Sequence, residues 1–173
     1  GDPPIITELP QPKGAVTALA LDALLENLYV GTADGQVVHV ALSETESPEM
    51  RAAYTVAASS TAVTTLGFLS GDRSLVVMSE DGAVSTWGLV RRADAPSGWK
   101  LTQIHTLRPH NAPVTAFAPS QRVKGFVTGD MKGNLFLHHA TSSQTLLRLA
   151  NSEFPIRAVA FAPKGDGLIA LER

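Results

Sequence analysis

Val63 to Trp87 reads VTTLGFLSGDRSLVVMSEDGAVSTW, a pattern of strand, turn, strand, tight turn and strand. The stretch opens on VTTLGF, turns at Ser70-Gly71-Asp72 and resumes with Leu75-Val76-Val77. It reverses at Asp81-Gly82 and leaves as Val84-Ser85-Thr86-Trp87. Asp-Gly between two such runs marks a tight hairpin, because glycine takes the positive φ that a two-residue turn needs.

The same unit recurs along the chain. Val16 to Leu21 reads VTALAL, Val114 to Pro119 reads VTAFAP and Ile156 to Phe161 reads IRAVAF; with Val63, the starts lie 47, 51 and 42 residues apart (16 to 63, 63 to 114, 114 to 156). These intervals are close to the period of about 40–50 residues typical of propeller blades. Asp34-Gly35, Asp81-Gly82 and Lys132-Gly133 place their glycines 19 residues after the start of each unit (16 to 35, 63 to 82, 114 to 133). A fourth, more polar strand follows a longer loop: Ala53 to Val56, Leu101 to Ile104 and Thr145 to Arg148. Four short antiparallel strands make one blade. The expectation is an all-β chain, a β-propeller fragment of about 3.5 four-stranded antiparallel blades, degenerate and WD-repeat-like. Its blades start near residues 15, 62, 113 and 155, and the last is truncated. Asp34, Gly35, Asp81, Gly82 and Gly133 are its structural turns. Asp22 to Leu28 has a helical alternative, but the matching segments carry turn chemistry, so residues 22–27 read as a loop. Ile5 to Leu9 reads as the outer strand of a further blade.

Bulk properties narrow the function. The 173 residues suit one domain, and 44% hydrophobic against 17% charged residues is a globular composition. A formal charge of -2 gives no basic surplus for nucleic acid, and Arg91-Arg92 reads as a solvated loop beside Asp94. Without cysteine there is no disulfide, thiolate zinc site or cysteine nucleophile. No apolar run approaches the roughly 20 residues of a membrane span, and Gly1-Asp2-Pro3-Pro4 does not begin a signal peptide.

Repeats with a turn Asp-Gly and a Trp five residues beyond the glycine resemble the WD-repeat family. Trp87 holds that place in the second unit, with Val40 and His138 in the others. The Asp that follows that Trp in the family is replaced by Ala41, Gly88 and His139, and of the upstream Gly-His pair only His110 is recognisable. The resemblance therefore implies a degenerate propeller that does not preserve the family's buried, hydrogen-bonded tetrad. From Trp99, and most clearly over Arg122 to Leu147 (RVKGFVTGDMKGNLFLHHATSSQTLL), the chain resembles a more specific group. This is the extracytoplasmic propeller of enlarged permease subunits of bacterial phosphate ABC transporters. Lys124-Gly125-Phe126, Asp130 and the strand Gly133-x-Leu135-x-Leu137-x-His139 carry the likeness, and Phe154 to Glu172 resembles the last blade. That resemblance implies a seven-bladed periplasmic domain, anchored to the inner membrane through its full-length protein. Its role would be docking or regulatory in phosphate transport, with the solute-binding protein or the transporter's membrane subunits as partner. A generic WD-repeat protein-interaction scaffold is the alternative.

Catalytic chemistry finds little to work with, so the chain is expected not to be an enzyme, with no catalytic residue, cofactor or metal. His138 and His139 are strand neighbours facing opposite ways and cannot chelate one ion from one face. His39 lacks a nearby carboxylate, and His105 and His110 lie in or beside an outer strand and loop. Asp34, Asp81 and Asp130 recur near turns, where carboxylates bond backbone amides. A propeller hydrolase would need Asp, Glu, Asn or His converging on the axis, yet the inner strands offer Val, Ala, Thr and Leu. An incomplete arc leaves unpaired edges, so self-association is expected, with Ile5–Leu9 and Ile156–Leu171 at or near the contact.

Overall fold

The structure, a computed structural model, describes residues 12–42, 52–69, 71, 73–95, 98–107, 109–122, 124–162 and 167–172. Among these residues there are strands and no helix. The first sheet holds β1 (Val16–Leu21), β2 (Asn27–Thr32), β3 (Gln36–Ala41) and β4 (Ala52–Ala57). The second holds β5 (Val63–Phe68), β6 (Leu75–Ser79), β7 (Val84–Arg91) and β8 (Trp99–Leu107). The third holds β9 (Val114–Pro119), β10 (Gly125–Asp130), β11 (Asn134–His139) and β12 (Thr145–Asn151). A two-stranded sheet of β13 (Ile156–Phe161) and β14 (Leu168–Glu172) follows. Every sheet is antiparallel and runs in chain order, so each is one blade or the start of one. The fold is all-β and propeller-like, with about three and a half blades. The expected strand at Ile5–Leu9 lies outside the described residues.

Blades join through their innermost strands, β1 against β5, β5 against β9 and β9 against β13. The first residue of each strand explains the recurring Val. Val63, Val114 and Ile156 are fully buried, each wedged against the preceding blade. Val63 lies over Gly31 and Ile156 over Gly129, where an added Cβ would come within 2.6 and 2.5 Å of the branched side chain. Each such burial stabilises by roughly 1.5–3 kcal/mol. The threonine beside the Val adds a bond between blades: Thr64 Oγ1 donates to the Val114 carbonyl at 2.7 Å, and Thr115 Oγ1 to the Ile156 carbonyl at 2.6 Å.

Three apolar layers fill the interblade space. Tyr29, Leu66, Leu75, Val77 and Trp87 contribute to the first, Val76, Met78, Leu107 and Phe126 to the second, and Ala116, Val127 and Leu135 to the third. The expected loop at 22–27 is a turn fastened by Asp22, whose Oδ1 accepts from the Glu26 amide at 2.8 Å and the Asn27 amide at 3.1 Å. Outer strands are less uniformly polar than the sequence implies. Leu146, Leu147 and Leu149 of β12 are all exposed.

Candidate interaction site

The turn residues form one repeated device. In the first three blades the glycine amide closes the turn, Gly35 onto the Thr32 carbonyl, Gly82 onto Ser79 and Gly133 onto Asp130, at 3.1, 3.1 and 3.2 Å. Their φ values are 79°, 84° and 79°. A Cβ on Gly35 would lie 2.2 Å from the Ser59 carbonyl oxygen, and Gly82 and Gly133 meet His110 and Ser152 in the same way. Each turn thus supports the loop that carries the chain into the next blade. Asp34 and Asp81 accept bonds from the Thr32 and Ser79 hydroxyls. Asp130 belongs to a different position from these two, which corrects their grouping: it stands three residues before its glycine, where the other blades place Thr32 and Ser79. Its Oδ1 accepts from the Lys132 and Asn134 amides, each at 2.9 Å.

That shift builds a network inside the third blade. Asp130 Oδ2 lies 2.8 Å from His110 Nδ1, His110 Nε2 lies 2.7 Å from Thr128 Oγ1, and Thr128 Oγ1 lies 2.6 Å from His138 Nε2. Thr145 Oγ1 lies 3.1 Å from His138 Nδ1. The anchoring carboxylate only accepts, so it sets the proton order. His110 donates from Nδ1 to Asp130, Thr128 donates to His110 Nε2, His138 donates from Nε2 to Thr128, and Thr145 donates to His138 Nδ1. Both imidazoles are then neutral and satisfied. Burial lowers the pKa of His138 to about 3, with His110 adding to the effect. Burial also lowers that of His110 against the pull of Asp130. Burial raises the Asp130 carboxyl, but the Asn134 amide and the His110 and Asn134 side chains outweigh it and hold it below its usual value. The expectation that the buried tetrad is lost is therefore wrong for this blade: His138 stands where the family has Trp and supplies an equivalent N–H. His110, read as a loop residue, is buried. The second blade keeps Trp87, but Val77 stands where Thr128 would be, and the indole donates to Ser85 Oγ at 2.8 Å instead.

Between the first and second blades lies an open cleft of about 1230 Å3. Tyr29, Phe68, Trp87, Leu89, Trp99 and Leu101 give it an apolar, aromatic lining. Tyr29 stacks on His39 with ring centres 4.8 Å apart and meets Phe68 edge-on at 5.6 Å. The absence of a carboxylate near His39 also needs correction. Its Nε2 donates to Asn27 Oδ1 at 2.8 Å, and Asn27 Nδ2 donates to Asp22 Oδ2 at 2.7 Å. Burial lowers the His39 pKa to about 4, with Asp22 pulling the other way. Leu24 at the mouth is 72% exposed and Trp99 47%, and Leu25, next to Leu24 in the chain, is 63% exposed. Leu25 holds φ 58°, a left-handed conformation uncommon for a bulky residue.

No protein-family model matches the chain. No curated protein matches it either. Solved structures do. The computationally designed Ika4 protein is 20% identical with a TM-score of 0.69, the match covering 95% of each chain. The Cps50 (Swd1) β-propeller domain of Myceliophteria thermophila is 18% identical with a TM-score of 0.72 over 91% of this chain and 50% of that one. The computationally designed Ika8 protein is 20% identical with a TM-score of 0.70, covering 94% of this chain and 44% of that one. The likeness is one of fold, that of a β-propeller. The chain spans half the length of the Cps50 domain and less than half of Ika8.

Proposed function

We propose that the chain is a non-catalytic protein-interaction module. The observation that carries this reading is a division of labour. The buried histidines, Asp130 and the turn carboxylates hydrogen-bond the blades internally, while an aromatic-lined cleft opens between two blades with the exposed Leu24 at its mouth. Exposed apolar side chains grouped around a groove are the usual mark of a binding surface. Photo-crosslinking residues placed singly at Leu24, Trp99, Glu80 and Lys132 in the parent protein test it. A discrete protein adduct from at least one loop end is expected, and no adduct at any position would contradict the reading.

The resemblance over Arg122–Leu147 supports a finer reading. In it, the module is the periplasmic propeller of a phosphate-type ABC importer permease and docks or regulates the transporter. Sequencing the parent gene tests this, since membrane helices must be encoded with the propeller. Exposed Val16, Leu19 and Leu21 on β1, with Ile169 and Leu171 on β14, support self-association of the isolated chain. Light scattering behind a sizing column should show a dimer, and a clean monomer across a concentration series would exclude it.

A further inference from the structure

The ends of the sheets differ in charge. Antiparallel order puts the β1–β2, β3–β4, β5–β6, β7–β8 and β9–β10 connections at one end, and the cleft lining includes residues of the first three. On the second and third blades this end carries Arg73, Arg91, Arg92, Lys100, Arg122 and Lys124, all exposed. Among the described residues there, only Asp94 opposes them. Arg73 belongs to the cleft wall, and Arg91 stands opposite Trp99 in the β7–β8 register, on the sheet face that the lining residues Leu89, Trp99 and Leu101 share. On the facing wall Asp22 is buried and its oxygens are occupied by Glu26 and Asn27, which among the described residues of that wall leaves Glu26 as the exposed carboxylate. The groove therefore combines an aromatic floor, an apolar lip at Leu24, and a cationic flank of Arg73 and Arg91 on one side.

We infer that this cleft docks an acidic segment of a partner protein through a bulky apolar side chain. The inference rests on the interaction-module reading and deepens it. The apolar residue enters between the two blades against Phe68, Trp87 and Leu89, while its acidic neighbours face Arg73 and Arg91. Charge complementarity selects the partner and speeds its approach, and the buried anchor supplies most of the affinity. The apolar lip at Leu24 and the aromatic floor favour a segment with an apolar anchor over a polyphosphate backbone, which offers none.

The chain has only two tryptophans, Trp87 and Trp99, and both line the cleft, so intrinsic fluorescence reports on it directly. The probes are acetyl-Glu-Asp-Leu-Phe-Glu-Asp-amide, a counterpart with lysine at every acidic position, a counterpart with Ala-Ala for Leu-Phe, and a ten-residue oligothymidylate. The acidic peptide should give a saturable emission change that weakens as salt is raised. Binding should fall about tenfold or more in R73E/R91E, two exposed sites, and stay unchanged in K132E at the opposite end. The lysine and alanine peptides should give no saturable response. Unaltered binding to R73E/R91E, equal binding of the alanine peptide, or preferential binding of the oligothymidylate would overturn the inference. A silent acidic peptide overturns it too. Partner adducts at Glu80 or Lys132 would then leave the module reading standing, and the lack of any adduct would remove both.

Discussion

The second and third blades share a backbone plan and differ in what holds their interiors. The second is fastened by apolar contact, with Val77 where the third has Thr128 and a single indole bond from Trp87 to Ser85. The third threads a polar chain from Asp130 through His110, Thr128 and His138 to Thr145. Both adopt the same four-stranded sheet because the inner-strand Val and the turn glycine set the geometry. The interior is then free to be greasy or hydrogen-bonded. The cost appears elsewhere: a polar interior is sensitive to acid and to the loss of any one member, and an apolar one is not.

Acid is the harshest way to break the symmetry between the blades. Burial moves His39 from 6.5 to about 4 and His138 from 6.5 to about 3. The folded chain thus binds fewer protons than the unfolded one between those values. Stability is full above pH 6.5 and falls as pH drops toward 3. His39 alone contributes a loss on the order of 3 kcal/mol by pH 4. Urea midpoints measured from pH 7.5 to 4 should fall steadily, and the third blade should lose amide protection before the second. Thr128→Val, nearly isosteric, strands a ring nitrogen on each of two buried histidines and should cost about 2–4 kcal/mol in urea unfolding. The same change is already present in the second blade as Val77, where it does no harm, so the cost measures the network and not the strand.

Gly82→Ala attacks what the blades share. It forces a side chain onto φ 84° with the His110 carbonyl oxygen 2.5 Å away, and it should cost about 1–3 kcal/mol by calorimetry. The smallest effect is expected from Trp87→Phe. It removes one N–H bond to Ser85 and part of a ring, and should cost about 1–2 kcal/mol without adding pH dependence.

The fold was legible because a propeller writes its period in the chain. Repeated Val starts and glycines at a constant offset locate three blades, and the alternating runs locate their strands. The network was not legible for a physical reason. Matching residue identities rejects His138 because it is not Trp, whereas the fold requires only an N–H at that point, which an imidazole supplies. The usable signal was Thr128 five residues and Asp130 three residues before Gly133, with His110 in the loop above. The Thr64 and Thr115 bonds between blades were equally hidden behind a Val-Thr pair that reads as simple β propensity. The cleft arises only when two blades stack, so neither blade's sequence announces it.

The central claim is that the buried histidines serve the blades and leave function to the surface. Long-range nitrogen NMR of the imidazoles at pH 6 tests it most directly. His39, His110 and His138 should all be neutral, with the proton on Nδ1 of His110 and on Nε2 of His39 and His138. A charged imidazole at any of the three, or the opposite tautomer at His110 or His138, would contradict the account.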